Sequence, residues 1–239
     1  PILIKVLSAA SLMFMDVKLP ANYDELWSRS GDYLYDSWRE NRQFGEELLY
    51  ESGNDPSVLL FWGRFPIVIL TLVLGLTIFL TTRKYSSDLG ALIATSMFVF
   101  NPIVNAHGHL IATDIGVSLG YLLSIVTFMN FIKNRNLKNL IYFILAFSFA
   151  QLVKYTAVIL FPVIIILFVY GCYVGFIKKG QRVNVVLQII AAMFVVWGVV
   201  WGAYGFKTEK IPVVESYSNE VKLRNGAATD PYVEPNITD

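Results

Sequence analysis

The chain has 239 residues, with 19 Lys and Arg against 18 Asp and Glu for a net charge of +1, and 55% of its residues are apolar. Only 15% are charged, where soluble domains average roughly 25%, and long stretches carry no charge at all. This composition excludes an ordinary soluble enzyme, a disordered tail and a nucleic-acid binder that works through a basic patch. The lone Cys172 excludes a disulfide framework and any multi-cysteine metal knuckle, and its apolar surroundings read it as a small packing residue. The sequence opens at Pro1 with no recognisable signal peptide and reads as a fragment of a longer membrane protein.

Taken in chain order, residues 1–15 are apolar apart from Lys5. A helix of that length spans about 22 Å, short for a crossing, so the expectation is an interfacial helix that Pro20 ends. Residues 16–63 are different in kind, with ten acids against Lys18, Arg29, Arg39 and Arg42. Tyr23, Trp27, Leu34 and Trp38 recur there at helical spacing, which predicts an amphipathic helix whose aromatic stripe packs on the domain or at the membrane interface.

A crossing needs about 20 mostly apolar residues. Uncharged runs at 65–82, 89–106, 115–132, 139–153, 155–177 and 183–206 predict six of them. The fourth and fifth cannot be one helix, because 39 residues would reach about 58 Å with Lys154 stranded inside at a cost of ~2.5–3.5 kcal/mol or more. The expected organisation is therefore an outward loop over 1–63, a six-span all-α bundle over 64–206 and a polar outward tail over 207–239. Asn236-Ile237-Thr238 in that tail fits a short glycosylation acceptor pattern.

Orientation follows from Lys and Arg. The connections 83–88, 133–138 and 178–182 hold Arg83, Lys84, Lys133, Arg135, Lys138, Lys178, Lys179 and Arg182, while the alternate short connections hold only Lys154. The basic connections are expected to face the cytoplasm, which turns 1–63 and the tail outward.

No ionisable group falls deep inside a predicted span, which argues against a transporter or flippase, since these keep such groups near the midplane. The polar groups collect at the outward ends: Arg64, His107, His109, Asp114, and Lys154 beside Tyr155. Such a rim suits a substrate with its tail in lipid and an anionic head. Arg64, ahead of Phe65-Pro66 at a helix start, can grip phosphate or anchor at the interface. Asp114 can cap a helix, hold a basic partner, bind a metal or take a proton. His107-Gly108-His109 with Asp114 suggests a divalent metal only weakly, as no third strong ligand stands beside them. Asn101-Pro102 is expected to break the second span, and Pro162 to kink the fifth.

These residues in this order resemble the GT-C superfamily of integral-membrane glycosyltransferases, nearest to its protein O-mannosyltransferase and aminoarabinose-transferase group. Pro1-Ile2-Leu3-Ile4-Lys5 resembles the His-Pro-Pro-Leu-x-Lys element of the first outward loop, with Ile2 in place of the second Pro. Phe44-Gly45 through Leu49-Tyr50 and then Arg64-Phe65-Pro66 resemble the end of that loop and the Arg-Leu-Pro start of the next span. Asn101-Pro102, His107 and Thr113-Asp114 resemble the Pro…His/Arg…Thr-Asp stretch, and Lys154-Tyr155-Thr156 the Lys-Tyr-Thr. The resemblance implies sugar transfer from a polyprenyl-phosphate carrier to a protein, lipid or glycan acceptor at the outer membrane face. It implies inversion, phosphate contacts from Arg64 and Lys154, and substrate-binding roles for Lys5, His107, Asp114 and Tyr155. The family's catalytic Asp would lie ahead of Pro1, so no catalytic residue is assigned here and the fragment alone is expected to be inactive. A transporter or flippase for a lipid-linked or anionic solute is the alternative, and a silent membrane scaffold a third reading.

Overall fold

The structure is a computed structural model that describes residues 2–24 and 37–206. Among the described residues every regular element is helical. Helix α1 covers Leu3–Leu12, and α2 covers Ser37–Glu46 and runs into a π-helical turn, Glu47–Glu51. Then come α3 (Pro56–Tyr85), α4 (Asp88–Val99), α5 (Pro102–His107), α6 (Thr113–Lys133) and α7 (Leu137–Val153). A 3-10 turn at Tyr155–Ile159 leads into α8 (Leu160–Val174), and a second at Lys179–Gln181 leads into α9 (Arg182–Ala203). Residues 1–204 form one compact unit. Most of the predicted aromatic stripe and the whole tail, with Asn236, lie outside the described residues; Tyr23 is described, its ring 6.2 Å from that of Phe44.

Among the described residues four helical stretches are long and apolar enough to cross a membrane: Pro56–Tyr85, Thr113–Lys133, Tyr155–Val174 and Lys179–Ala203. With the shorter apolar helices Leu3–Leu12, Asp88–Val99 and Leu137–Val153 beside them, the chain is an all-α, multi-pass integral membrane protein. The stretch 89–106 is not one helix. Asn101 sits extended and its side-chain oxygen accepts from the Ile103 and Val104 amides, while Pro102 takes the first helical position, where its missing N–H costs nothing. Helix α4 alone is about 18 Å long.

Two expectations at proline change. Helix α3 starts at Pro56, well ahead of residue 65, because Asp55 caps it by accepting from the Ser57 and Val58 amides. Arg64 therefore stands in the third turn of α3 and Pro66 lies inside the helix. A proline there leaves the carbonyl four residues back without its helical donor. That carbonyl belongs to Trp62, and the Ser11 hydroxyl of α1 lies 2.7 Å from it. Pro162 does not kink a helix; it falls in the first turn of α8, and the break lies just upstream at the 3-10 turn.

The neighbour that supplies Ser11 is docked on the bundle rather than lying free at the interface. Helix α1 ends at Leu12, short of Pro20, and packs along α3 and against α7, with Ile4 only 2% exposed. Helices α6 and α7 form the most intimate pair, and small residues explain it. A Cβ on Gly120 would stand 2.8 Å from the Ala150 Cα, and one on Gly116 would stand 3.0 Å from both Ile4 Cδ1 and Val153 Cγ1. In lipid, where apolar burial gives helices no drive to associate, this close approach is what holds them together. Away from that seam, the rings of Phe128, Phe143, Phe147 and Phe161 meet in series, tilted or edge to face, with centroids 5.1, 5.6 and 5.2 Å apart.

The helices sort the polar residues to two ends. Arg83 follows Arg64 by nineteen positions on α3, about 28 Å along the axis. Contacts across helices keep the ends apart. Lys84 donates to Asn130 Oδ1 at 2.8 Å, and Arg135 donates to the Phe176 carbonyl at 3.2 Å. At the other end Thr71 donates to the Gly108 carbonyl at 2.7 Å, and Tyr121 to the Thr156 carbonyl at 3.2 Å.

Candidate functional site

The Gly116–Val153 and Gly120–Ala150 contacts fix the register of α6 against α7, and this register decides what meets at their shared end. Asp114 stands two residues before Gly116, in the first turn of α6, and Lys154 is the residue that stops α7. Their side chains pair, with Lys154 Nζ 2.7 Å from Asp114 Oδ1. The pair is 34% and 52% exposed on its two sides, so it is reachable from outside. An ammonium has three donors, and one is spent on Asp114.

Tyr155 follows in the 3-10 turn, exposed, and shares a hydrogen bond of 3.2 Å with the Tyr204 hydroxyl just past α9. The break at Lys154 is held open by Gln151, whose side-chain amide donates to the Ala157 carbonyl at 3.0 Å. His107 closes α5 and stands within electrostatic range of Asp114, with its Nδ1 buried and unpartnered. Lys5 is exposed on α1, next to the Ile4 that packs on Gly116.

Arg64 is not part of that cluster's bonding. It lies half-buried on a groove of about 520 Å³ lined by Ser57, Leu60, Phe61, Phe65 and His109 among others. Among the described residues its guanidinium makes no hydrogen bond or ion pair. His109 faces this groove while His107 turns inward, so the two imidazoles separate. Among the described residues no three His, Cys, Asp or Glu side chains come together as a metal set.

The site is thus one end of the bundle with two parts, Lys154 locked to a carboxylate and, over an apolar groove, Arg64 without a polar partner among the described residues. Residues 58–201 match the family model described as dolichyl-phosphate-mannose-protein mannosyltransferase. The chain belongs to that family. No curated protein and no solved structure matches it. The matched range takes in Arg64, His107, Asp114, Lys154 and Tyr155, and leaves out Lys5. Membership places this mannosyltransferase-family chain among membrane glycosyltransferases that draw on a polyprenyl-phosphate sugar donor.

Three features of the site were not read from sequence. The Gly116-x-x-x-Gly120 spacing was legible, as small residues four apart in an apolar helix mark a close helix contact. Tyr204 and Ser11 carried no local signal, because their roles depend on which helices become neighbours.

Proposed function

We propose that this chain transfers a sugar from a polyprenyl-phosphate carrier at the outer membrane face, and that Arg64 and Lys154 receive the carrier's phosphate. The observation that carries this reading is the Arg64 guanidinium, without a polar partner among the described residues, beside an apolar groove. A lipid-borne phosphate needs a cation and a greasy channel side by side, and the Arg64 groove offers both. The first isoprenyl units would lie against Phe61 and Phe65, with the phosphate between Arg64 and the remaining donors of Lys154. Lys5, His107 and Tyr155 would border the sugar, and Asp114 would hold Lys154 in place.

In the reaction, an acceptor hydroxyl attacks the anomeric carbon as the carbon–oxygen bond to phosphate breaks. The hydroxyl proton passes to a carboxylate base, and the bonding electrons leave with the phosphate, where Arg64 and Lys154 stabilise the developing charge. A single displacement of this kind inverts the anomeric centre. The base, by family resemblance, is an Asp ahead of Pro1, so residues 1–239 alone would not turn over. The family description favours mannose as the sugar and a protein as acceptor.

The test measures transfer from a purified polyprenyl-phosphate mannose to a peptide by the full-length enzyme. Arg64→Ala and Lys154→Ala should each lower kcat by about 10²–10³, the usual loss for one preorganised charge donor, with melting unchanged. Full activity in both variants would remove the phosphate assignment.

A further inference from the structure

At the end of the bundle away from the candidate site, α8 leans on α6 and α9 leans on α7, while α8 and α9 scarcely meet each other. The space left between them is a groove of about 480 Å³ lined by Phe168, Val169, Cys172, Val183, Val186 and Leu187, with Arg182 at its mouth. Apart from Arg182 that lining is wholly apolar, and it comes from two membrane-length helical stretches.

Arg182 lines the groove, and Lys178 and Lys179 precede it in the same connection. Lys178, Lys179 and Arg182 are exposed, and among the described residues their side chains make no hydrogen bond, ion pair or ring contact. This sets them apart from other basic groups at the same end, for Lys133 stacks over Tyr85 and Phe176 and Arg135 bonds the Phe176 carbonyl. The turn that carries them is nevertheless fixed. Ile177 is buried at 1% exposure, its amide bonds the Gly171 carbonyl, and Gly175 takes the left-handed conformation (φ 88°) that lets α8 end. Helices α7, α8 and α9 carry no acid that could pair with them, for the sequence has no Asp or Glu between Asp114 and Glu209.

Exposed cations, unpaired among the described residues, beside an apolar slot between two membrane-length helices have the chemistry of an anionic-lipid site. We infer that an anionic glycerophospholipid occupies this groove, one acyl chain between α8 and α9 and its phosphate on Lys178, Lys179 and Arg182. This site is distinct from the one proposed for the sugar carrier, at the opposite end of the bundle.

The test uses the full-length enzyme in phosphatidylcholine nanodiscs doped with phosphatidylglycerol or phosphatidylcholine that carries a diazirine in one acyl chain. After illumination the crosslinked peptides are mapped. Phosphatidylglycerol should label the segments 168–172 and 182–187 in clear excess over phosphatidylcholine. Each of Lys178→Gln, Lys179→Gln and Arg182→Gln should reduce that excess about fivefold, the worth of one basic residue near an anionic surface. Arg64→Ala should leave it unchanged, and Val186→Trp, which fills the groove, should abolish it without touching the cations. Equal labelling by the two lipids, or labelling only elsewhere, would overturn the inference. So would displacement of the probe by inorganic phosphate, or by polyprenyl phosphate more readily than by unlabelled phosphatidylglycerol.

Discussion

At the end where α3 finishes, most basic side chains are already engaged. Arg83 bonds Asp88 at 2.7 Å, Lys84 bonds Asn130, and Lys133 and Lys138 sit over aromatic rings. At the end where α6 begins, basic residues are fewer, and Arg64 makes no hydrogen bond or ion pair among the described residues while His107 keeps a buried unpartnered nitrogen. The basic residues at the first end are mostly satisfied where they stand, as anchors would be. Those at the second end are poised against an apolar groove or a single carboxylate, which leaves donors for something outside the protein.

The sharpest way to break this contrast is to ask whether the two ends face different compartments. In a Cys172→Ser background, single cysteines at His109 and Tyr155 should react with a membrane-impermeant maleimide from the outside of sealed vesicles. Cysteines at Arg83 and Lys179 should react only after permeabilisation. The effect is all-or-none, and mixed labelling within either end would remove the orientation proposed from the basic connections.

The next effect concerns the seam that builds the site end. Gly120→Leu places its side chain into the backbone of Ala150, which cannot give way cheaply. Overpacking of this kind costs ~1–3 kcal/mol, read as a lower melting point, and should spread Asp114 from Lys154 and so lower transfer. Gly198, whose added Cβ would meet nothing within 4 Å, should accept alanine without either loss.

A smaller effect separates function from stability at two ion pairs. Asp114→Asn keeps the shape but removes the charge that orients Lys154, so kcat/KM should fall about tenfold, the value of one charge-assisted hydrogen bond. Melting should barely move, because a half-exposed pair is worth only about 0–1 kcal/mol. The Arg83–Asp88 pair has the same 2.7 Å length, yet Asp88→Asn should leave transfer intact. Loss of activity in Asp88→Asn would show that the ends are not functionally distinct.

How far the sequence anticipated this structure differs by the kind of signal. Charge-free runs and the placing of Lys and Arg are one-dimensional, and both the all-α membrane architecture and the gathering of basic connections at one end were legible from them. The break at Asn101-Pro102 was equally plain, since capping and proline geometry act within a few residues. Helix α3's true start was missed because a search for uncharged residues stops at Arg64, whereas the Asp55 cap begins the helix earlier. The Asp114–Lys154 pair joins residues forty positions apart. Asp114 was read as able to hold a basic partner, but naming Lys154 required the glycine register of α6 on α7.

The smallest expected effect tests how α1 is tied to the site end. Pro66 deprives the Trp62 carbonyl of its helical donor, and Ser11 Oγ lies 2.7 Å from that oxygen and equally 2.7 Å from the Ser8 carbonyl. One hydroxyl proton cannot serve both at once, so the bond to Trp62 is shared and worth about 1 kcal/mol at most. Ser11→Ala should lower the free energy of unfolding by that amount in wild-type protein. In a Pro66→Ala background the Trp62 carbonyl regains a helical N–H, and Ser11→Ala should then cost almost nothing. A double-mutant cycle on these two positions isolates the coupling. An equal cost of Ser11→Ala in both backgrounds would mean that α1 docks through Ile4 and its neighbours alone, and that the proline in α3 has no part in holding α1 to the bundle.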